Sequence, residues 1–452
     1  MACYLVSPSA ATGRNHRIEL AGIDLWVIAR TDKIFVYPSE LNIEQFKDAL
    51  SRTLSLWPLI TGRLLLLDDN HYVIEMSDNP IPITYVENID LVTWPTDLNI
   101  VSDVHENLLE PFLDGIQIIN MISGSPEEPL VRLKFTRIVQ SGEWIMGVSW
   151  AHVLGDAAAL LNFLNNISRM YQNLEPLEPL PIFERRIWHE DEADQTFLPL
   201  MKHLTHAGSL QEMFQLFGSW QHTHTQLNLR FSGEQLEKLR ELAGGKTVTI
   251  QDSLSAYLIL TLNTHCYRND ERQCIQRANT VVNFRGVSNS IASVGQVSNA
   301  IFMMLSENFE DRSSLGSIAK TIRQSITKSR DPKFLVTWLA TANGLMRKIV
   351  HENRTVNWGQ FPNEIIINSN FRYDWSSLVD FGYTDQCRMY TVWTGPLYFR
   401  VFRLNPKCNG PNWLPRDRKG AEVAFLIENS LKERFLSACQ KDFDEKFVNV
   451  KQ

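Results

Sequence analysis

The chain has 452 residues, of which 44% are hydrophobic and 21% charged, a composition typical of a globular protein of about two or three domains. Its net charge of −7 argues against a nucleic-acid partner held by a broad basic face, and an anionic co-substrate would need a local basic site. No apolar run is long enough to cross a bilayer, so we expect no membrane span.

The six cysteines are scattered, without a CxxC pair or the spacing of a zinc site. We therefore expect free thiols, a reducing compartment and no bound metal. The N-terminus lacks a basic segment followed by an apolar core, which predicts that the protein has no secretory signal and is cytoplasmic.

The first part of the chain predicts strands that alternate with helices. Residues 33–38 form a predicted strand, and the next helix carries Phe46, Leu50 and Leu54 on one face. Residues 59–67 are predicted to be a turn that leads into a buried strand, and residues 71–76 to be the returning strand. They are joined by a turn at Asp68–Asn70 in this prediction.

A strand, a tight turn and a helix are predicted from Trp144 onward. Bulky side chains recur at every second position up to Trp150, which indicates a strand that ends near His152 and pairs with residues 131–136. Gly155 supplies the turn, and Asp156 caps the following helix. His152 therefore stands at the mouth of a strand-turn-helix unit, where a base can reach a cleft. The HxxxD spacing alone is weak evidence, and a buried histidine beside a capping aspartate is the alternative.

Regular patterning fades from Glu175 to about His222, which we interpret as a surface crossover between two halves. The second half again mixes strands and helices, which predicts two similar α/β domains. The predicted strands are 225–231, 280–286, 364–370, 397–402 and 422–427, and the predicted helices are 233–242, 253–267, 314–329, 332–349 and 431–443.

Four short motifs follow one another along the chain: WPLITGRL at 57–64, HVLGD at 152–156, NFR at 283–285 and DFGYT at 380–384. They are similar, in order and spacing, to the aromatic-Pro-Leu-Ala-Gly-Arg-Leu, HxxxD, DxR and DFGWG motifs of the BAHD acyltransferases. These enzymes use acyl-CoA to acylate specialised metabolites. The chain resembles that family over nearly its whole length.

Several positions depart from the family pattern. Ala151 replaces a frequent second His, Ala157 replaces a Gly, Asn283 replaces the Asp of DxR, and Tyr383 replaces the Trp of DFGWG. The family's Tyr-x-Gly-Asn appears only loosely, around Asn299. These differences leave the acceptor undetermined but keep the proposed base.

The resemblance implies an α/β fold of two similar domains, each a mixed β-sheet flanked by helices, chloramphenicol-acetyltransferase-like, with a tunnel between them. We expect an N-terminal domain over 1–185, with about 379–403 swapped into it, and a crossover linker over 186–222. The C-terminal domain would then comprise 223–378 and 404–452.

The same resemblance implies an acyl-CoA-dependent O- or N-acyltransferase that acts on a hydroxyl or amine of a small specialised metabolite. Acyl-CoA and the acceptor would enter the tunnel from opposite faces and meet at His152 in a ternary complex. A neutral imidazole suits a general base that takes the acceptor's proton and returns one to the CoA thiolate. We expect acyl-CoA as co-substrate, no permanently bound cofactor and a monomer.

The resemblance also assigns the other candidate site residues. Asp156 belongs to the predicted catalytic motif, yet the family pairs its counterpart with a distant Arg, which matches Arg285, so a structural pair is favoured. Asp380 is expected in a structural loop. Asn368 is the candidate donor to the oxyanion of the intermediate, with a strand-end turn as the alternative.

Residues that correspond to the family's contacts with the CoA phosphates are Lys246, Thr247 and Thr249. A cation and hydroxyls near a helix N-terminus suit a phosphate, although a solvated loop lysine is the simpler explanation. Two other functions stay open at this point. One is a non-catalytic relative that only binds a metabolite or partner, and the other is a condensation-type enzyme fed by a carrier-protein thioester.

Overall fold

The protein is described by a computed structural model that covers residues 1–13, 15–25, 28–67, 71–101, 108–267, 273–409 and 412–443. Two large mixed β-sheets with helices packed on them dominate these residues, which confirms the predicted α/β class. No helix in the described ranges is both long and apolar enough to cross a membrane.

The first sheet is centred on the strand Trp144–Ala151. This strand pairs antiparallel with Val131–Ile138, as predicted, and with Arg30–Tyr37 on its other side. Every residue of the central strand is buried, so both of its faces are covered by other elements. In spatial order the described strands are Ala2–Val6, Ile81–Asn88, Val131–Ile138, Trp144–Ala151, Arg30–Tyr37, Arg388–Val392 and Ile100–Val101.

The second sheet is built around the strand Glu364–Ser369. It runs parallel to both of its neighbours, Arg277–Asn283 and Tyr398–Arg403. Strands with parallel neighbours are usually covered on both faces, which explains the uninterrupted isoleucine run in this one. In spatial order the described strands are His224–Phe231, Ala421–Glu428, Tyr398–Arg403, Glu364–Ser369, Arg277–Asn283 and Ile301–Leu305.

Helices cover both sheets, and two smaller sheets lie beside them. The predicted turn at Asp68–Asn70 lies outside the described residues. The described strands of the smaller sheets are Arg17–Glu19, Tyr72–Glu75 and Arg63–Leu66 in one, and Cys408–Asn409 and Asn412–Trp413 in the other. The described α-helices are Gly22–Leu25, Ile43–Leu56, Ile118–Ile122, Ala157–Tyr171, Lys202–Thr205, Leu210–Thr223, Gly233–Leu242, Ile250–Thr261, Leu315–Lys328, Pro332–His351, Trp375–Leu378 and Lys432–Asp442.

A late segment of the chain returns to the first sheet, but it is shorter than the predicted 379–403. Arg388–Val392 pairs with the first sheet as expected, whereas Tyr398–Arg403 lies in the second sheet. The chain reverses between these strands, where Trp393 and Leu397 both have positive φ angles, 72° and 48°. The segment that returns to the first sheet therefore ends before the strand Tyr398–Arg403 begins.

The predicted linker 186–222 contains regular structure that was not predicted. Proline-rich and acidic residues near its start are typical of a surface loop and favoured that interpretation. Leu210–Thr223 is an α-helix, with Ser209 as its N-cap and a reciprocal capping box to Glu212. Leu210, Met213, Phe214, Phe217 and Trp220 recur at helical spacing, so the sequence carried a signal for this helix, although only Met213 and Trp220 are buried.

The two sheets are joined where Ile100 meets the second half. Its backbone N–H donates to Glu422 Oε1 at 3.2 Å, and its carbonyl accepts from Gln226 and Asn228 at 2.8 and 2.9 Å. Glu422 is fully buried and also accepts from Arg230 at 2.8 Å. These hydrogen bonds hold the two sheets together, and a cavity lies between the sheets.

Candidate active site

His152 opens a short 3₁₀ turn, His152–Leu154, directly after the central strand of the first sheet. Its backbone N–H donates to the carbonyl of Ala29 at 2.8 Å, and its own carbonyl accepts from Asn299 Nδ2 at 2.7 Å. One bond comes from the first half and the other from the second. The backbone of the candidate base is therefore fixed from both sides.

A buried polar network supports the rest of this turn. Arg185 Nη2 donates to the carbonyls of Val153 and Leu154 at 3.3 and 3.2 Å, and Arg185 Nε lies 2.9 Å from Asp24 Oδ2. Asp24 Oδ1 in turn accepts from the backbone N–H of Asn299 at 2.9 Å. Sequence reasoning missed Asp24 and Arg185, and its only signal here was the loose motif at Asn299.

The His152 ring lines a cavity between the two sheets, and its Nδ1 is buried without a hydrogen-bond partner among the described residues. Burial lowers the pKa of His152, and the nearby Lys33 ammonium acts in the same direction. Asp156 and Asn299 oppose the shift without reversing it. The imidazole is therefore neutral near neutral pH, which is the state a general base requires.

Asp156 begins the helix Ala157–Tyr171, as predicted. Its Oδ1 accepts from the backbone N–H groups of Ala158 and Ala159 at 3.0 and 3.2 Å. Its Oδ2 lies 2.7 Å from Arg285 Nη1 in an ion pair whose side chains are 2% and 7% exposed. Both carboxylate oxygens are thus engaged away from the imidazole.

The remaining nitrogens of Arg285 are engaged as well. Nε donates to the carbonyl of Gln296 at 2.7 Å, and Nη2 donates to that of Ser298 at 2.5 Å. Asn283 accepts from the backbone N–H of Arg285 at 2.9 Å and donates to the hydroxyl of Tyr373 at 2.9 Å. An amide can make both bonds at once, which accounts for Asn at the position where the family has Asp.

The cavity has a volume of about 120 Å³ and is walled by both halves of the protein. Asn368 lines it, as the candidate oxyanion donor must, and its Nδ2 donates to the hydroxyl of Tyr398 at 2.8 Å. An amide nitrogen carries two N–H groups, so one remains for a substrate. Its action on an oxyanion stays a prediction.

Lys246, Thr247 and Thr249 do not line this cavity. Lys246 and Thr247 are exposed in a 3₁₀ turn, and Thr249 is the N-cap of the helix Ile250–Thr261. Thr249 Oγ1 donates to Asp252 at 2.8 Å. In the first turn of the same helix, Gln251 accepts from the cavity-lining Ser369 at 2.6 Å.

Asp380 is distant from the cavity and from Arg285. Its Oδ1 accepts from Gln172 at 3.2 Å and from the backbone N–H of Gly382 at 3.0 Å. Gln172 follows the C-terminal end of the helix Ala157–Tyr171, whereas Arg285 contacts its N-terminal end. With a rise of about 1.5 Å per residue, the two ends are roughly 22 Å apart.

Two cations in the cavity were not predicted as site residues, namely Lys33 and Arg400. Lys33 lies in its strand between the polar residues 30–32 and the apolar residues 34–37, and nothing in the sequence singled it out as a site residue. Among the described residues, no group of three or more His, Cys, Asp or Glu side chains is placed to hold a metal. None of the six cysteines forms a disulfide.

The chain is similar to one family model and to several solved structures. The model of the Transferase family matches residues 1–385. Vinorine synthase superposes with a TM-score of 0.64 at 14% identity, over 97% of this chain and 97% of that chain. F. graminearum TRI101 complexed with coenzyme A and T-2 mycotoxin superposes with a TM-score of 0.61 at 13% identity, over 95% and 98%.

The X-domain from teicoplanin biosynthesis also superposes, with a TM-score of 0.53 at 12% identity, over 96% of each chain. A search of curated protein sequences gave no significant match. At these identities the solved structures establish the fold, and they confirm the expected two-sheet architecture.

Proposed function

The chain belongs to the Transferase family, that of the BAHD acyltransferases, and from this premise we propose that it transfers an acyl group from acyl-CoA to a hydroxyl or amine of a small specialised metabolite. The observation that carries the proposal is the position of His152. It lines a cavity between two sheets, with its backbone fixed from both sides and its pKa lowered by burial.

His152 acts as the general base in this proposal. The acceptor's O–H or N–H proton passes to an imidazole nitrogen while the oxygen or nitrogen attacks the thioester carbonyl carbon. The C–S bond of the tetrahedral intermediate then breaks, and the imidazolium returns the proton to the CoA thiolate. General-base catalysis of this kind contributes about 10²–10⁴-fold to the rate.

The developing oxyanion would be met by the amide of Asn368, whose second N–H has no partner among the described residues. The CoA phosphates would meet Lys246 and the N-terminus of the helix Ile250–Thr261. Gln251 on that helix contacts the cavity wall, which supports a CoA path from this helix end inward. TRI101 has been crystallised with coenzyme A, which supports acyl-CoA as the co-substrate.

We propose direct transfer in a ternary complex, without an acyl-enzyme. No cysteine lines the described cavity, and the hydroxyl of Ser369 donates to Gln251 rather than to a base. We also propose that the protein is a cytoplasmic monomer, and cysteines that form no disulfide support a reducing compartment.

The proposal is tested by acceptor-dependent release of free CoA thiol. A panel of acyl-CoAs is incubated with candidate alcohols and amines, products are identified by mass spectrometry, and His152→Ala serves as control. We expect release only when the acceptor is present. Transfer solely from a carrier-protein thioester would instead indicate a condensation-type enzyme, and ligand binding without turnover would indicate a non-catalytic relative.

A further inference from the structure

Two cationic side chains are buried in the cavity opposite one another. Lys33 comes from the strand Arg30–Tyr37 of the first sheet and is 3% exposed. Arg400 comes from the strand Tyr398–Arg403 of the second sheet and is 9% exposed. Both line the same cavity as His152, so a molecule seated there meets both charges.

Their hydrogen bonds go to neutral groups. Lys33 Nζ donates to the hydroxyls of Thr31 and Thr391 at 3.3 and 2.8 Å and to the carbonyl of Asp32 at 3.2 Å. Arg400 Nη1 donates to the carbonyls of Val392 and Trp393 at 2.6 and 2.5 Å. Within the described ranges neither cation makes a salt bridge, and Arg400 Nε and Nη2 make no hydrogen bond.

Two carboxylates lie close to these cations. Asp32 is next to Lys33 in the chain and Asp156 lines the same cavity, but each forms its salt bridge with another arginine. Asp32 lies 3.0 Å from Arg30, and Asp156 lies 2.7 Å from Arg285. Among the described residues, the two cationic side chains of the cavity therefore have no carboxylate in salt-bridge contact, and Asp32 acts on Lys33 only at longer range.

Burial makes this arrangement costly for the free protein. Burial, with Arg400 as the second cause, lowers the pKa of Lys33 to about 7, and burial lowers the pKa of Arg400 to about 10. Buried charges are normally paired, and an unpaired one is strongly unfavourable. An anion that enters the cavity would remove this cost.

We propose that the cavity binds a carboxylate carried by one of the two substrates, seated between Lys33 and Arg400. This inference rests on the proposed acyl transfer and specifies the substrate class. The free Nε and Nη2 groups of Arg400 form the fork that accepts a carboxylate through two parallel hydrogen bonds. Asn370 also lines the cavity, with an unpartnered Oδ1 that can accept from a hydroxyl or amine beside that carboxylate.

The carboxylate has two possible sources, the acyl group or the acceptor, and paired substrates distinguish them. In the donor arm, malonyl-CoA is compared with isovaleryl-CoA, which has the same shape without the charge. In the acceptor arm, a panel of hydroxy acids is compared with the corresponding methyl esters, with acetyl-CoA as donor. Each pair is assayed for kcat/KM with wild type, Arg400→Gln, Lys33→Gln and Arg400→Lys.

Lys407→Gln is the matched control, because Lys407 is an exposed cation outside this cavity. We expect one arm to favour the carboxylate by at least about tenfold, the scale of one charge-assisted hydrogen bond. Arg400→Gln should abolish the preference, Arg400→Lys should restore part of it, and Lys407→Gln should leave it unchanged. The arm that shows the preference identifies the carrier.

The proposal is overturned if wild type shows no preference in either arm, or if the preference survives both cavity variants. It is equally overturned if Arg400→Gln and Lys33→Gln slow charged and neutral substrates alike, because the cations would then serve the oxyanion or the fold. Melting curves of each variant accompany the rates and separate a loss of folding from a loss of recognition.

A binding measurement keeps the test independent of turnover. Malonate should raise the Tm of wild type by about 1–2 °C more than neutral malonamide, and this difference should vanish in Arg400→Gln. If no acyl transfer is found, the proposed function fails while this difference still supports an anion site. Equal responses to malonate and malonamide overturn the anion site itself.

Discussion

His152 and Asp156 belong to one motif, but different roles are proposed for them because their surroundings differ. His152 lines the cavity and leaves one ring nitrogen without a partner in the described structure, whereas both oxygens of Asp156 are bonded elsewhere. A general base needs a free lone pair to take up a proton. A helix cap instead uses its oxygens to accept hydrogen bonds from the backbone. The separation of roles therefore follows from hydrogen-bond occupancy, although the two residues are only four positions apart.

Replacement of His152 by Ala should remove acyl transfer and leave the fold intact. The rate should fall by about 10²–10⁴-fold, because the acceptor's proton then has no base. Steady-state rates with an established donor and acceptor, beside a melting curve, measure both effects. Wild-type turnover in the variant would refute the assignment of His152.

The acidic limb of the pH profile should lie below the ordinary histidine pKa of about 6.5. Burial lowers the pKa of His152, so the base stays neutral as the pH falls toward that value and is protonated only below it. Lys33, with a pKa lowered to about 7, titrates in the same cavity. Profiles of kcat/KM for wild type and Lys33→Gln separate the two groups, and a limb above pH 6.5 in both would contradict the prediction.

At the scale of the element, the helix Ala157–Tyr171 depends on contacts at its first turn. Asp156 caps its N-terminus and ties it to Arg285 in the other half of the chain. Gly155, immediately before the cap, passes so close to Ser298 and Ala159 that no side chain fits there. The orientation of His152 depends on this packing.

The pair of Asp156 and Arg285 should behave as a coupled unit. Asp156→Ala removes a cap worth about 1 kcal/mol and strands a buried guanidinium at a cost of roughly 3–5 kcal/mol. Arg285→Met added to it should cost less than the sum of the single changes, because no charge is then stranded. Asp156→Asn, which keeps a capping oxygen, is the control.

Urea denaturation of wild type, Asp156→Ala, Arg285→Met, the double variant and the Asp156→Asn control measures this coupling, and activity should fall together with stability. If Asp156→Ala melts like wild type yet is inactive, Asp156 acts on His152 directly, and the structural assignment is wrong.

Gly155→Ala should destabilise the protein, whereas Gly344→Ala should not. A Cβ at Gly155 would lie 2.7 Å from the Cβ of Ala159 and 2.9 Å from the carbonyl oxygen of Ser298, so we expect a cost of about 1–3 kcal/mol. Gly344 lies inside the helix Pro332–His351 with nothing within 4 Å of such a Cβ, and alanine there should stabilise by about 0.5–1 kcal/mol. Melting curves that rank the two variants the other way would contradict this reading of the turn.

At the scale of the whole molecule, the two halves form one site. The first sheet supplies the strand that leads to His152, the second supplies Asn368 and Arg400, and the contacts of Ile100 hold the sheets together. A site shared in this way can receive two substrates at once, which is the physical basis of the proposed ternary complex.

No acyl-enzyme should accumulate when the protein meets acyl-CoA alone. The described cavity contains no activated nucleophile, so the acyl group should leave CoA only when an acceptor is present. Intact-mass measurement before and after acceptor addition checks this. A stoichiometric adduct that disappears on addition of acceptor would replace the ternary mechanism with a two-step one.

Local features of this chain followed from the sequence alone. The two-residue period from Trp144 to Trp150 predicted the central strand, and the small residues around Gly155 and Asp156 predicted the turn and cap. Strand periodicity and capping depend on residues within a few positions of one another. The order of the short motifs predicted the family, and the family resemblance, rather than any local pattern, implied the pairing of Asp156 with Arg285.

Tertiary packing decided what lies around those local features. The Asp24–Arg185–Asn299 network, the return of Tyr398–Arg403 to the second sheet and the meeting of Lys33 with Arg400 join residues far apart in the chain. No local periodicity encodes such contacts, because they exist only once the two sheets have packed. The position of the candidate base His152 could therefore be predicted from the sequence, whereas the charge of the cavity that it lines was set by the fold.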